Sequence, residues 1–555
     1  MLKYLTSKGS GSSGLGYVET GPVESQFGRL QCFSWHNAIS KTDGMPATIF
    51  KLVLKNKEVD VITPYEIDLA KRHLKNIKLV RHPNILKILA TKESDSGIYI
   101  ATERCYPLSS TNISSDPALG IGQIFSAVHF LHTKCNLAYC QISPMGIAVR
   151  EDGSWCLSSF ELAADCNLSV HVLLSEIKSH TSWRDGWRPH LPNTVSVSSL
   201  YLDYWGIGAL ICWVYALLSG CIDKCNTRRN GLDINTLKVY VPNTLQALID
   251  ELTLSRQKID LENILNTHPY FKKNVSVVVL NFLSELHIKP EESVESFFNH
   301  LPQYIDKIPV EISCKQILPE VLKAIPLYRS MAPKILESVI LMCKSVLVED
   351  FKKKVYPYIL DLFKDNDRST RFCLLKQMPE LDHLLDEKQV SEDIFQHLLV
   401  GFTDVASQIR NETIKSICYV IKKIKPKQKY VALMSLLKCV DDCEPTIRAN
   451  TIICFAKIIP FLDSEHISKI LPQVWRSGLC DSFAQSKIAS LEAISASHEF
   501  FSIEDKVSLL FPLVSSTLLD ADPQIRKLSF ETIYKLLDSV KSQSIPDDVP
   551  NDDPW

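Results

Sequence analysis

The sequence predicts a two-lobed α+β domain followed by an all-α solenoid, and two observations carry that expectation. Residues 26–271 mix short β-forming runs, such as Ala47-Thr48-Ile49-Phe50, with long apolar stretches, such as Gly206 to Cys221. From about 272 to 540 the chain changes to apolar helical segments joined by short turns, and an internal repeat runs through it. An acidic residue followed six positions later by a basic one recurs at Asp365/Arg371, Asp404/Arg410, Asp442/Arg448, Asp481/Lys487 and Asp520/Arg526. The aspartates step by 39, 38, 39 and 39 residues. Self-similarity at such a period marks stacked two-helix units. The 555 residues are also too many for one ordinary domain.

Bulk composition narrows the function classes. The chain is 45% apolar and 22% charged, with a net charge of −2. No large single-sign field therefore draws it to nucleic acid or anionic lipid. Its 17 cysteines are scattered without a C-x-x-C pair. Cys221/Cys225 and Cys439/Cys443 are one helical turn apart, which suits buried thiols in a reducing compartment better than structural zinc. Met1 to Leu5 has no apolar core for a signal peptide, and Gly206 to Cys221 is short for a bilayer span. No transmembrane segment is expected. Residues 1–25 read as a flexible Gly/Ser leader. Gly9-Ser10-Gly11-Ser12-Ser13-Gly14 fits G-x-G-x-x-G by letter, but no strand pattern precedes it and it lies far from Phe50.

Residues 139–161 resemble the catalytic segment of a protein kinase with its reactive residues replaced. A kinase runs H-R-D-L-K-x-x-N, then a short strand, then D-F-G; the first Asp takes the substrate proton, and the Asn and second Asp hold magnesium. Here the first motif reads Tyr139-Cys140-Gln141-Ile142-Ser143-Pro144-Met145-Gly146, and the second reads Ser159-Phe160-Glu161. Gln141 is no carboxylate base, Gly146 has no side chain, and Ser159 is a poor magnesium ligand. Upstream, Phe50 stands where V-A-I-K has its lysine, and His73 falls near the partner glutamate of that lysine. Lys51 is one residue away and points to the other face of a strand. The phosphate loop is expected within Gln31 to Lys41, which contains no glycine. Asp152 and Glu161 are the nearest acids an atypical, ATP-binding kinase could use, but Asp152 belongs to a turn.

Residues that shape the kinase C-lobe remain. Asp203-Tyr204-Trp205-Gly206-Ile207-Gly208 resembles the start of its buried helix, and His268-Pro269-Tyr270-Phe271 resembles its close. What folds is kept and what reacts is lost. The expected protein is a pseudokinase with no cofactor and no metal.

In the second half, the repeat spacing matches HEAT repeats. The aspartate at the inter-helix turn is expected to cap the second helix, and the basic residue to reach the next repeat's aspartate. Ile447, Ile452, Ile453, Phe455 and Ile458 are expected on buried faces. Pro319, Pro357, Pro472 and Pro512 recur in the first helices. The fold class is thus an α+β kinase-like bilobal domain (26–271) followed by an all-α HEAT-repeat solenoid (272–540). An acidic disordered tail is expected over 541–555, ending in a candidate docking motif, Asp552-Asp553-Pro554-Trp555.

A degenerate kinase domain followed by HEAT repeats resembles the Scyl family, the Scy-like N-terminal-kinase-like proteins. Arg81 to Leu86, Thr102-Glu103 with Pro107-Leu108, Gly153-x-Trp155-x-Leu157, Asp481 to Lys487 and Ala496-Ser497-His498 look like family phrases. The resemblance implies a scaffold on the cytosolic side of Golgi and endosomal membranes, working with COPI or clathrin coats. Coat or adaptor subunits and small GTPases would bind the solenoid, giving peripheral membrane association through partners. Some fungal relatives instead imply a tRNA-export adaptor at the nuclear pore that works with export or translation factors. Residues 301–540 carry 31 basic and 31 acidic side chains, so bulk charge does not favour tRNA. One local patch, Lys422, Lys423, Lys425, Lys427 and Lys429, is the candidate nucleic-acid or partner site.

Overall fold

The computed structural model describes residues 14–23, 32–54, 62–109, 111–177, 187, 189, 197–221 and 232–544. The chain forms two compact units, Met1–Glu320 and Val321–Trp555.

The first unit opens with a five-stranded antiparallel sheet. Its strands are β1 (Tyr17–Pro22), β2 (Ser34–Ser40), β3 (Pro46–Val53), β4 (Ile88–Ser94) and β5 (Gly97–Glu103), in the order β1-β2-β3-β5-β4. Strand β1 corrects the expectation of a leader to residue 25. Tyr17-Val18-Glu19-Thr20 is a β-forming run, and its flanking glycines disguised it; Gly21 sits where the pairing with β2 shifts register. Strand β2 likewise occupies most of the stretch expected as the phosphate loop. Side-chain alternation divides β3: Ile49 packs with Ala38 and Ala101 on one face, while Phe50 and Leu52 enter the main core.

Helix α1 (Pro64–Leu79) starts at a capping box. The Glu66 amide donates to Thr63 Oγ1, and the Thr63 amide donates to the Glu66 carboxylate. Its inward residues are Leu69, Ala70, His73, Leu74 and Ile77. After β6 (Cys105–Pro107), helix α2 (Ala118–Lys134) and β7 (Leu137–Ala138), strands β8 (Ile147–Arg150) and β9 (Trp155–Leu157) form a second sheet in the order β6-β8-β9. Strand β10 (Ala164–Asp165) pairs with β7. Helix α3 (Leu200–Leu218) is 19 residues long and, by length and composition alone, could cross a membrane. It is instead a core helix: 78% of its most apolar window is buried within the fold.

Helix α4 (Val275–Ser284) packs against α2. Asn274 caps it, donating to the Asp116 carboxylate while accepting from the Val277 amide at 3.0 Å. The sequence changes character near 272, but the compact first unit runs on to Glu320.

In the second unit the second helices of successive repeats are α5 (Arg368–Lys376), α6 (Ser407–Val420), α7 (Pro445–Ile458), α8 (Ala484–Ser497) and α9 (Pro523–Ser544). Each packs on the next. Ile447, Ile452, Phe455 and Ile458 are buried as expected, whereas Ile453 is 40% exposed. Helix α9 continues four residues into the stretch expected as a tail.

The aspartates hold the turns and do not cap the helices. Asp404, Asp442, Asp481 and Asp520 each accept the amide two residues on, at 2.9 Å, before the helix begins. The prolines also have a local reason. Pro319, Pro357 and Pro512 each follow a wider π-type turn, at Ser313–Ile317, Phe351–Val355 and Lys506–Leu510. A proline cannot donate the helical hydrogen bond, and the wider turn accommodates it.

Candidate functional site

The segment that would be reactive in a kinase is built here as core. Phe50 is 1% exposed and stacks on its cross-strand neighbour Trp35, with ring centroids 4.1 Å apart and planes 17° apart. Phe33 sits beside both Phe50 and His73, at 6.4 and 5.2 Å between centroids. An aromatic cluster therefore lies where a lysine–glutamate pair would grip phosphates. Lys51 faces the other way and pairs with Glu19 on β1 at 2.8 Å.

His73 ties α1 to the degenerate second motif. Its Nδ1 accepts the Phe160 amide at 3.0 Å, and Asn76 donates to the Phe160 carbonyl at 3.1 Å. Burial pushes the His73 pKa down to about 3, so the ring is neutral near pH 7. Phe160 packs edge-on against Tyr139, at 5.1 Å between centroids. The Tyr139 hydroxyl donates to the Gly146 carbonyl and accepts the Ser159 amide. Tyr139, Gly146 and Ser159 are thus joined through backbone groups.

Gly146 leaves no room for a metal-holding side chain. A Cβ there would stand 2.1 Å from the Gln141 carbonyl oxygen, closer than real Cβ contacts come. Gln141 is buried, and its hydrogen bond with Glu161 helps hold that carboxyl. Glu161 also accepts from Cys32 Sγ at 3.1 Å. Burial pushes the Glu161 pKa up to about 7. Asp152 lies in the turn between β8 and β9, accepting from the Ser154 amide and hydroxyl at 2.8 and 2.6 Å.

The residue doing most to organise this segment is Asp203 on α3. It is fully buried and accepts the Tyr139 amide at 2.7 Å, the Cys140 amide at 2.6 Å and His132 Nε2 at 2.8 Å. Cys140 has φ +58, a conformation uncommon for a non-glycine residue. The paired bonds to Asp203 hold it there. Sequence reasoning recognised Asp203 from its helix phrase but missed His132, Cys32, Phe33 and Trp35. The alternation of Phe33 and Trp35, matched by Phe50, was the available signal.

The second candidate patch is engaged with the repeats. Lys422 and Lys423 pair with Asp382, and Lys423 also donates to the Leu385 carbonyl at 2.8 Å. Lys425 pairs with Glu392 at 3.1 Å, and Lys429 donates to the Phe461 carbonyl at 3.2 Å. Among the described residues, the Lys427 side chain has no ion-pair or hydrogen-bond partner. Asp552, Asp553, Pro554 and Trp555 lie outside the described residues.

The ladder expected from the repeat is formed. Arg371 Nη1 is 3.1 Å from Asp404, and Lys487 Nζ is 2.6 Å from Asp520. Arg410 and Arg448 grip Asp442 and Asp481 with two bonds each, all at 2.8 Å. Arg448 holds the Asp481 carboxyl well below the usual carboxylate range.

Comparison with known proteins follows the same two halves. No family model matches the chain. It is 26% identical over 532 residues to the probable inactive serine/threonine-protein kinase scy1 of Dictyostelium discoideum, covering 94% of this chain and 63% of that protein. It is 25% identical over 540 residues to cytoplasmic export protein 1 of Saccharomyces cerevisiae, covering 92% and 66%. It is 21% identical over 495 residues to human SCY1-like protein 2, covering 79% and 52%. The crystal structure of Cex1p superposes with a TM-score of 0.72 at 21% identity, covering 97% of this chain and 99% of that one. The fold is therefore shared along nearly the whole chain, and the chain is similar to the Scy1-like proteins: a kinase-like domain without the catalytic residues, joined to a helical-repeat solenoid.

Proposed function

We propose that this protein is a catalytically inactive, kinase-like scaffold that recruits macromolecular partners and transfers no phosphate. The observation that carries this is the Trp35–Phe50 stack, which places packed aromatic rings where a kinase needs a charged phosphate grip. Gly146 adds a steric reason, since the magnesium-holding side chain has no space.

Within that reading, the partner class we favour is protein, in coat-vesicle traffic on Golgi or endosomal membranes. The lysines that would neutralise RNA phosphates mostly pair with acids and carbonyls of their own solenoid, which supports a protein-binding role. The protein would work in the cytoplasm and reach membranes through partners.

A second reading, an adaptor in tRNA export, is supported by the likeness to Cex1p along the whole chain and to a relative named for cytoplasmic export. It would place the protein in the cytoplasm near the nuclear pore.

Purification of the tagged protein from its own cells, with and without RNase, separates the two. Coat subunits that survive RNase favour traffic; tRNA with an export receptor, lost on RNase, favours export. If export holds, changing Lys422, Lys423, Lys425, Lys427 and Lys429 to Gln flattens the salt dependence of tRNA binding. An unchanged slope removes that patch as the site.

A further inference from the structure

The ladder of charges stops at the last described repeat with one half of a rung in place. Arg410 Nη1 donates to the carbonyls of Asp404 and Val405, and Arg448 Nη1 donates to those of Asp442 and Cys443. This fixes each guanidinium so that Nε and Nη2 grip the aspartate of the following repeat. Arg526 is held identically: its Nη1 donates to the carbonyls of Asp520 and Ala521 at 2.7 and 2.9 Å. Its Nε and Nη2 have no acidic partner among the described residues. The fork is set for a carboxylate.

The apolar register agrees. Ten residues after each ladder aspartate stand Ile414, Ile452, Leu491 and Phe530. The first three are 0%, 1% and 0% exposed, because a following repeat covers them, while Phe530 is 49% exposed. Seventeen residues after stand Ile421, Ile459, His498 and Leu537. Ile421 and Ile459 are fully buried, and Leu537 is 50% exposed. Tyr534, 67% exposed, lies between Phe530 and Leu537 on the same side of α9. Solenoids normally finish with a polar cap; an apolar end is an unpaired interface.

We propose that the end of α9 formed by Arg526, Phe530, Tyr534 and Leu537 is a docking face for a different protein. The occupant is a helical hairpin that presents an aspartate at its turn to Arg526 and lays an apolar helix over the three exposed side chains. The face continues the inter-repeat interface already formed four times by the ladder, and the Arg526 fork, which has no acidic partner among the described residues, calls for an anionic one. This inference deepens the scaffold reading and rests on it; nucleotide binding tests that reading separately.

The test uses the full chain with a benzophenone amino acid replacing Tyr534, crosslinked in its own cells and mapped by mass spectrometry. The expected product joins Tyr534 to a helical segment of another protein next to an Asp or Glu, and R526E reduces it about tenfold. Reversing the contacted acid to Arg in the partner should restore the R526E product. An unchanged melting temperature for R526E shows that the variant folds, and the same probe at the exposed Tyr430 should not respond to R526E. No adduct, an adduct indifferent to R526E, or one confined to residues 545–555 or to a second copy of the chain would each overturn the proposal.

Discussion

The two units treat charge in opposite ways. In the first, positions that are charged in a working kinase carry Phe50, His73, Gln141 and Ser159, the position of its magnesium-holding asparagine carries Gly146, and packing or backbone bonds occupy the space. In the second, charged residues recur every 38 or 39 positions and are kept as ion pairs between repeats. The difference follows from what each needs. A bilobal unit with a large apolar core gains nothing from an unpaired charge in its cleft, because burying one is costly. A stack of similar helix pairs needs something to fix its register, and a bidentate Arg–Asp pair is directional where apolar contact is not. Asp203 is an exception in the first unit, a buried carboxylate kept because three donors converge on it.

The largest way to break this comparison is at that exception. Asp203→Ala leaves the Tyr139 and Cys140 amides unpaired in the core and should cost about 3–5 kcal/mol, read by chemical unfolding of the full chain. Phe50→Lys, which restores the kinase residue, should destabilise by a similar amount of about 3 kcal/mol and give no nucleotide binding. A stable Phe50→Lys variant would show that the aromatic cluster is not what fills the cleft.

The ladder gives a smaller effect. A double-mutant cycle on Arg448→Ala and Asp481→Ala should show about 1–2 kcal/mol of coupling in the solenoid's unfolding. Additive losses would mean that apolar stacking alone sets the register.

The smallest effect is a pH profile. Glu161 has its folded pKa raised to about 7 from an ordinary value of 4.5, so the folded state binds its proton more tightly than the unfolded chain. Its stabilising contribution is complete below pH 4.5 and is lost as pH rises to about 7. Glu161→Gln should flatten the stability of the first unit across that window. An unaltered profile would place the carboxyl in water.

Much of this was legible in the sequence, for reasons that differ by residue. The ladder was readable because a fixed period survives without any knowledge of contacts. The replaced catalytic positions were readable because their order along the chain is that of a kinase. The turn role of Asp481 was misread because the same residue type serves caps and turns, and only the amide at Phe483 distinguishes them. Strand β1 was missed because glycines on both sides look like a linker. The partners of Lys422 and Lys425, Asp382 and Glu392, lie 40 and 33 positions earlier, so the repeat period itself could have pointed to them. The aromatic filling of the cleft joins Phe33 and Trp35 to Phe50 across a strand pairing that local pattern alone does not fix.

The central claim is that the kinase-shaped cleft is core and not a nucleotide site. Thermal unfolding of the purified full chain, with and without millimolar ATP and magnesium, tests it most directly. The expected result is no change in melting temperature, because a ligand that does not bind the folded state cannot stabilise it. A saturable, magnesium-dependent rise that Phe50→Lys alters would contradict the claim and return the protein to the nucleotide-binding kinases.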